Sequence, residues 1–240
     1  MHEFEKSNWN KAEYSNKYLD NADIYIQERE NLLNIVASFY RKFIKDTKKK
    51  RVLDLGCGNG ILSKTLYMQK GGMEIVVIDG SKDMLTAAKK ELEGMPISEF
   101  CQISFEEIIQ GKFKRGLFDF IVSSFAIHHI ELPQKKKLFK RIFEMMYSNA
   151  YFLNIDVVLS NYKDYNEWYY DLWKEWIICR QKLLNLNNSF EQIPEEARNK
   201  PENHYDLLNA QLDSLKSIGF SEVECHYKYG VFAIYGGKKQ

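Results

Sequence analysis

Neither sign of charge dominates this chain of 240 residues: 34 lysines and arginines stand against 33 aspartates and glutamates, a formal net charge of +1. A molecule so balanced has no long-range field to draw in a polyanion or an anionic membrane, so charge gives no reason to expect nucleic acid as a partner. Long apolar runs are missing as well. From Met1 to Asn10 there is no hydrophobic stretch, and nowhere does an uncharged segment reach the ~18 residues that spanning a bilayer requires. Cysteine is sparse: Cys57, Cys101, Cys179 and Cys225 lie far apart without a paired metal spacing. They read as buried free thiols of a reducing compartment, with no metal expected. No internal repeat and no low-complexity segment is visible. These absences predict one soluble, cytoplasmic domain spanning 1–240, with a homodimer as one possible assembly and no membrane partner.

What is present is alternation. Apolar residues recur at helical spacing over 20–46, from Ile24 and Ile26 through Leu32, Leu33, Val36 and Phe39 to Phe43, predicting one covering helix. Val52-Leu53 and Leu55 then run as a strand into a glycine cluster, followed by helical spacing from Ile61 to Met68. A β-branched run, Glu74 to Ile78, ends on Asp79. Further helices are predicted at Ser81–Leu92, Pro133–Met146 and Tyr205–Ser217. Further strands are predicted at Phe100–Ile103, Phe118–Ser123, Ala150–Ile155, Val223–Tyr227 and Val231–Tyr235, the last two joined around Gly230 as an antiparallel hairpin. Strands alternating with helices imply an α/β fold, a mainly parallel sheet with helices on both faces. Residues 1–46 and 160–204 fall outside that alternation and read as two parts of a helical lid over a core at 50–155, with 205–240 closing the sheet.

The strongest chemical signal is Val52-Leu-Asp-Leu-Gly-Cys-Gly-Asn-Gly60, between a strand and a helix. Glycine at 56, 58 and 60 permits positive φ and leaves no Cβ to hold a ligand away from the backbone. Asp79, at the end of the next strand, can accept hydrogen bonds from both hydroxyls of a ribose. A dinucleotide loop wants G-x-G-x-x-G, but position 61 is isoleucine and the third glycine comes one place early. A Walker loop is excluded because no Gly-Lys-Ser/Thr follows. Asp54, two residues before the first glycine, would repel a pyrophosphate yet suits the cationic amino group of an amino-acid tail. That combination favours S-adenosylmethionine, which carries no phosphate.

Asp54-x-Gly56-x-Gly58-x-Gly60 with Asp79 resembles motifs I and II of the class I S-adenosylmethionine-dependent methyltransferases, and Ser123-Ser-Phe-Ala-Ile-His-His-Ile130 resembles the fourth-strand motif of their type 11/12 members. The resemblance implies a Rossmann-like, seven-stranded fold and a cofactor site drawn from Asp54, Gly56, Cys57, Gly58, Gly60, Asp79, Gly80, Met84, Ser104, Phe105 and Ser123. Asn154-Ile-Asp156, Ser217-Ile-Gly-Phe220 and Tyr227-Lys-Tyr-Gly-Val-Phe-Ala233 are similar to the carboxy-S-adenosylmethionine synthase-like group of wobble-uridine tRNA modification. Where that group uses an arginine to grip the cofactor's extra carboxylate, Ser214 stands here, and Ile103-Ser104-Phe105 takes the place of its adenine-binding acidic residue. The first departure argues against carboxy-S-adenosylmethionine chemistry.

Methyl transfer from a sulfonium needs above all two reactants held in line, worth ~7 to 11 kcal/mol at best. A base is needed only where the nucleophile carries a proton. His128, with His129 beside it, and Asp156 are candidates for that role, against the plainer reading of a cap or packing residue. Residues 162–186 are dense in rings. Tyr165, Trp168, Tyr169 and Trp173 are expected to line the acceptor pocket, the alternative being a packed amphipathic helix, with Tyr25 and Arg29 as the opposing wall. The expectation is a methyltransferase acting on a small-molecule acceptor. The competing readings are a tRNA-modifying enzyme and a non-catalytic S-adenosylmethionine-binding module.

Overall fold

The structure is a computed structural model describing residues 4–46, 48–69 and 72–240. Seven strands form a single sheet: β1 (Lys50–Leu55), β2 (Met73–Asp79), β3 (Ile97–Gln102), β4 (Phe118–Ser124), β5 (Met146–Val157), β6 (Ser221–Tyr229) and β7 (Phe232–Lys238). Their order is β3-β2-β1-β4-β5-β7-β6, with β1 to β5 parallel and β7 antiparallel to both its neighbours. The order reverses beside β1, so β1 and β4 diverge at their carboxyl ends and open a crevice there, the usual ligand site of such sheets. Val52 pairs with Phe120 and Leu55 with Ser123, which sets the loops after β1 and β4 side by side.

Both faces of the sheet are covered. One is packed by α2 (Arg29–Phe39), α3 (Ile61–Tyr67), α4 (Lys82–Glu91) and α7 (Lys163–Leu183), whose Leu32, Val36, Leu62, Leu66, Ala88 and Trp173 meet Val52, Ile75, Val77 and Val122. The other is packed by α5 (Phe105–Ile109), α6 (Leu132–Glu144) and α9 (Leu208–Ile218), through Ile108, Leu138, Phe139, Ile142 and Leu215 against Leu53, Leu55 and Phe152. Central strands buried on two sides read as unbroken apolar runs, which is how β1, β2 and β4 are written.

The predicted single helix over 20–46 is instead α1 (Ala12–Tyr25), then α2, then a π-helical turn at Tyr40–Ile44. Ile24 and Ile26 are both buried. Residues two apart do not share a helix face, so the chain leaves the helix at Ile26 and passes through a left-handed Glu28 (φ 54°) before α2. The polar stretch 187–203 contains a further helix, α8 (Ile193–Asn199), opened by Pro194 in its first turn. Among the described residues no helix is long and apolar enough to cross a membrane, and no group of three His, Cys, Asp or Glu side chains could hold a metal ion. All four cysteines are free, but only Cys57 is buried; Cys101 and Cys225 are half-buried and Cys179 is exposed, so the expected burial of the thiols holds for one of them.

Candidate active site

The loop from β1 to α3 takes positive φ at Gly56, Gly58 and Gly60, for three different reasons. A Cβ on Gly56 would stand 2.4 Å from that of Ala126, so that glycine lets the β1 and β4 loops touch. One on Gly60 would meet Leu92 at 2.6 Å, while one on Gly58 would meet nothing within 4 Å. Gly58 therefore presents bare backbone to open space. That space is a cavity of about 390 Å³ lined by Gly56, Cys57, Gly58, Asp79, Gly80, Met84, Ser104 and Phe105 among others.

Asp79 organises its floor. One carboxylate oxygen accepts from the Gly58 N–H at 2.9 Å, the other from the Ser81 N–H at 2.8 Å. Two oxygens offer about four lone-pair sites, leaving capacity for ribose hydroxyls. Burial pushes the Asp79 carboxyl up to about 6 against these backbone bonds, and burial likewise pushes Asp54 up to about 7. Asp54 has no exposed surface. One oxygen accepts from the Ser63 hydroxyl at 2.7 Å, and the other is buried without a partner. Next along the wall, Ser104 closes a capping box with Glu107 at the start of α5, and Arg29 ion-pairs with Asp23 at 2.6 Å.

A second cavity, of about 420 Å³, abuts the first and shares Trp9, Tyr18, Phe125 and His129 with it. Its walls come from distant parts of the chain: Tyr14 and Tyr25 of α1, Trp173 of α7, Ala197 of α8, Lys200, Tyr205 and Phe232. The Trp173 indole donates to the Tyr25 carbonyl at 2.7 Å, tying α7 to the end of α1. The segment after α8 is held by the fully buried Lys135, which donates to the His204 carbonyl at 2.5 Å and to Asp206 at 2.6 Å. Beside it the His204 N–H donates to the His128 carbonyl at 2.7 Å. Phe125, at the junction, adopts φ 52°. Left-handed backbone in a bulky residue is strained and persists only where its surroundings enforce it. Here the Phe125 N–H is pinned to the Ile155 carbonyl at 2.8 Å.

His128 lines this second cavity with Asp156 behind it. Its Nδ1 lies 2.5 Å from one Asp156 oxygen, which also accepts from the Val157 N–H. The other oxygen accepts from Asn154, itself bonded to Tyr235. The Asp156 carboxylate therefore takes three donors. With Nδ1 committed to it as N–H, the neutral ring keeps its free lone pair at Nε2.

Residues 52–149 match the sequence pattern described as a methyltransferase domain. An uncharacterized methyltransferase of Staphylococcus carnosus is 30% identical over 78% of this chain and 77% of its own length. The chain belongs to the class I S-adenosylmethionine-dependent methyltransferases. The carboxy-S-adenosyl-L-methionine synthase of Nautilia profundicola is 23% identical over 86% of the chain and 83% of its own length. Among solved structures, an O-methyltransferase family protein from Burkholderia thailandensis shares the fold with a TM-score of 0.68 at 11% identity, covering 98% of this chain. The chain spans 63% of that protein's length.

In this methyltransferase the predicted cofactor residues divide. Gly56, Cys57, Gly58, Asp79, Gly80, Met84, Ser104 and Phe105 are on the cavity wall, whereas Asp54, Gly60 and Ser123 lie behind it. Ser123 is spent on the Leu55 carbonyl at 2.8 Å, and Ser214 on that of Ala210. The lid expectation needs correcting. Tyr165 and Trp168 are 52% and 55% exposed and line neither cavity. Trp168 and Trp173 are five residues apart, about 140° around a helix, so both cannot face one pocket. Tyr169 is off the wall too, beneath the Lys228 ammonium 3.8 Å above its ring. Trp173 and Tyr25 do line the second cavity, and Arg29 lines the first rather than the second. Sequence reasoning missed Trp9, Tyr18, Lys200 and Tyr205. The one available signal was Tyr14 and Tyr18 at helical spacing, ahead of where the first helix was expected to start.

Proposed function

We propose that this methyltransferase binds its cofactor in the glycine-loop cavity and methylates a small, largely apolar hydroxy compound held in the aromatic cavity. The observation that carries the reading is the buried His128–Asp156 pair on the wall of the second cavity, where that cavity meets the first at Phe125 and His129. S-adenosylmethionine, when bound, supplies an electrophilic methyl group on a sulfonium and a thioether leaving group. The residues present fit it: Gly58 leaves its backbone bare, Asp79 has lone pairs for two ribose hydroxyls, and Arg29 offers a guanidinium to the amino-acid carboxylate. Asp54 acts through the loop it underlies. Its hydrogen bond from the Ser63 hydroxyl ties the end of β1 to α3 on either side of the glycine loop.

On the acceptor side, His128 takes the hydroxyl proton at Nε2, and Asp156 fixes the ring and stabilises the imidazolium that results. Rings of Tyr18, Tyr25, Phe125, Trp173 and Phe232 exclude water and pair with a flat or apolar acceptor. A net charge of +1 gives the chain no long-range pull on tRNA, and the aromatic cavity suits a small molecule better. Four unpaired cysteines accord with a cytoplasmic location.

The test is release of S-adenosylhomocysteine in the presence of a panel of hydroxylated aromatic and aliphatic compounds, with products read by mass spectrometry. A gain of one methyl group on a hydroxyl compound, abolished by His128→Ala, is expected. Turnover on tRNA with steep salt dependence would overturn the acceptor class. A co-purifying adenosyl ligand with the mass of carboxy-S-adenosylmethionine would overturn the cofactor.

A further inference from the structure

Trp9 and His129 stand on the walls of both cavities, ring centroids 5.2 Å apart, and each buries a polar atom that has no hydrogen-bond partner: the indole Nε1 of one and the imidazole Nε2 of the other. The two atoms are of opposite kind. An indole Nε1 can only donate. The other nitrogen of His129, Nδ1, lies 3.3 Å from the Glu202 carbonyl oxygen, which can only accept, so Nδ1 carries the hydrogen and Nε2 the lone pair. Burial, reinforced by His128, Lys200 and Lys135, pushes the His129 pKa well below its ordinary value and keeps the ring neutral.

One donor and one acceptor, on neighbouring rings and each without a partner, complement a hydroxyl group, which both accepts and donates. Their placement is built rather than incidental. Asn8, next to Trp9, donates its backbone N–H and its side-chain amide to the Glu202 carboxylate at 2.7 and 3.1 Å, while the carbonyl of the same Glu202 faces His129. Lys200 pairs with that carboxylate at 3.3 Å. One residue thus holds both members of the pair. The His128 ring, bearing the base, packs against His129, 4.1 Å away centroid to centroid, so a group held at one ring lies close to a group held at the other.

We propose that Trp9 Nε1 and His129 Nε2 together bind a second hydroxyl of the acceptor, adjacent to the one His128 deprotonates, so that the acceptor class is a small ring compound with two neighbouring hydroxyl groups. The inference rests on the reading of the aromatic cavity as the acceptor site. Trp9 and His129 act as specificity-determining residues: they select the substrate and orient it, and the proton passes to His128.

The experiment uses the full chain saturated with S-adenosylhomocysteine and three probes, catechol, resorcinol and phenol, with binding followed by ligand-detected NMR and calorimetry. Catechol is expected to bind about tenfold tighter than phenol or resorcinol, equivalent to about 1.4 kcal/mol. Trp9→Phe, which keeps the ring and deletes the N–H, and His129→Phe, which deletes the acceptor, should each bring the preference to within about threefold. His129→Gln, which keeps an acceptor oxygen, should restore part of it. The affinity for S-adenosylhomocysteine should hold within about twofold in all three variants, which also verifies that they fold. Equal binding of the three probes to the wild type, or a preference that survives both phenylalanine variants, overturns the proposal. Loss of S-adenosylhomocysteine affinity in the variants overturns it too, because the pair would then serve the cofactor. Failure of every probe to bind the wild type is a different result: it sinks the acceptor reading itself, and this inference with it.

Discussion

The two cavities that meet at Trp9, Phe125 and His129 are made of different materials. The glycine-loop cavity is largely backbone: a positive-φ loop, the turn at Gly80 and the capped start of α5, with the Asp79 carboxylate bridging two N–H groups of neighbouring loops. The aromatic cavity is side chain, assembled from α1, α7, α8 and β7, segments as far apart as Trp9 and Phe232. A site of backbone tolerates few changes of conformation but many of side chain around it. A site of packed rings is coupled to the stability of the whole fold, because the same ring that touches a ligand also fills a core.

The first way to sharpen that contrast is to remove the proposed base of the aromatic half. His128→Ala should lower the turnover rate by about 10² to 10⁴-fold, the usual worth of a positioned base. Asp156→Asn, which leaves the ring in place but not its preferred tautomer, should fall in the same range with little change in cofactor affinity. Undiminished turnover in either variant would reduce the pair to packing. Next, Trp173→Ala removes a 4% exposed ring that also holds α1 through the Tyr25 carbonyl, so chemical denaturation should show a loss of ~3 to 5 kcal/mol.

In the backbone half the expected effects are smaller and local. Asp79→Ala should weaken S-adenosylhomocysteine by about 1.5 to 3 kcal/mol in calorimetry with the melting temperature nearly unchanged, since it deletes hydrogen bonds to a charged acceptor. NAD should give no heat of binding. Protonation should imitate the substitution. Asp79, pushed up to about 6 in the free protein, must be ionised to accept ribose hydroxyls, so affinity should fall as pH drops through that value, by about tenfold one unit below it. The sign for folding is opposite. Asp54 and Asp79 have folded values of about 7 and about 6 against an ordinary 3.8. The ligand-free fold therefore holds their protons more tightly than the unfolded chain. The associated stability is complete below 3.8 and is lost as pH rises through 6 and 7. The melting shift caused by S-adenosylhomocysteine should accordingly grow from about pH 5 to about pH 8. The smallest effect belongs to α7's outer face: Trp168→Ala and Tyr165→Ala should change stability by no more than about 0.5 kcal/mol and leave turnover alone. A collapse of turnover in either would restore those rings to the acceptor site.

The same difference of materials explains what could be read from the sequence. Gly56, Gly58 and Asp79 announce themselves because a backbone conformation and a strand-end carboxylate are local demands, written within a few residues. The α/β alternation is local in the same sense, and the sheet follows it down to the closing hairpin. Asp54 shows where locality ends. Its spacing from Gly56 is as expected, but whether the side chain faces the cavity or Ser63 depends on the twist of β1 against α3. For the aromatic half, Trp9 stands in a polar segment with no periodicity, and its meaning arises only when Asn8 meets Glu202, 194 residues away. Tyr165, Trp168 and Trp173 look alike as a run of rings. Only the docking of α7 on α1 decides that Trp173 faces inward and the other two face solvent.

The central claim is that a methyl group passes from the glycine-loop cavity into the aromatic one at the junction of Phe125 and His129. A crystal structure of the protein with S-adenosylhomocysteine tests it most directly, because the sulfur marks where the methyl group would have been. The account predicts ribose hydroxyls on Asp79 and a sulfur directed at that junction, with the His128 Nε2 side of the aromatic cavity beyond it. A sulfur turned toward solvent, or an adenosyl group lying in the aromatic cavity, would contradict it.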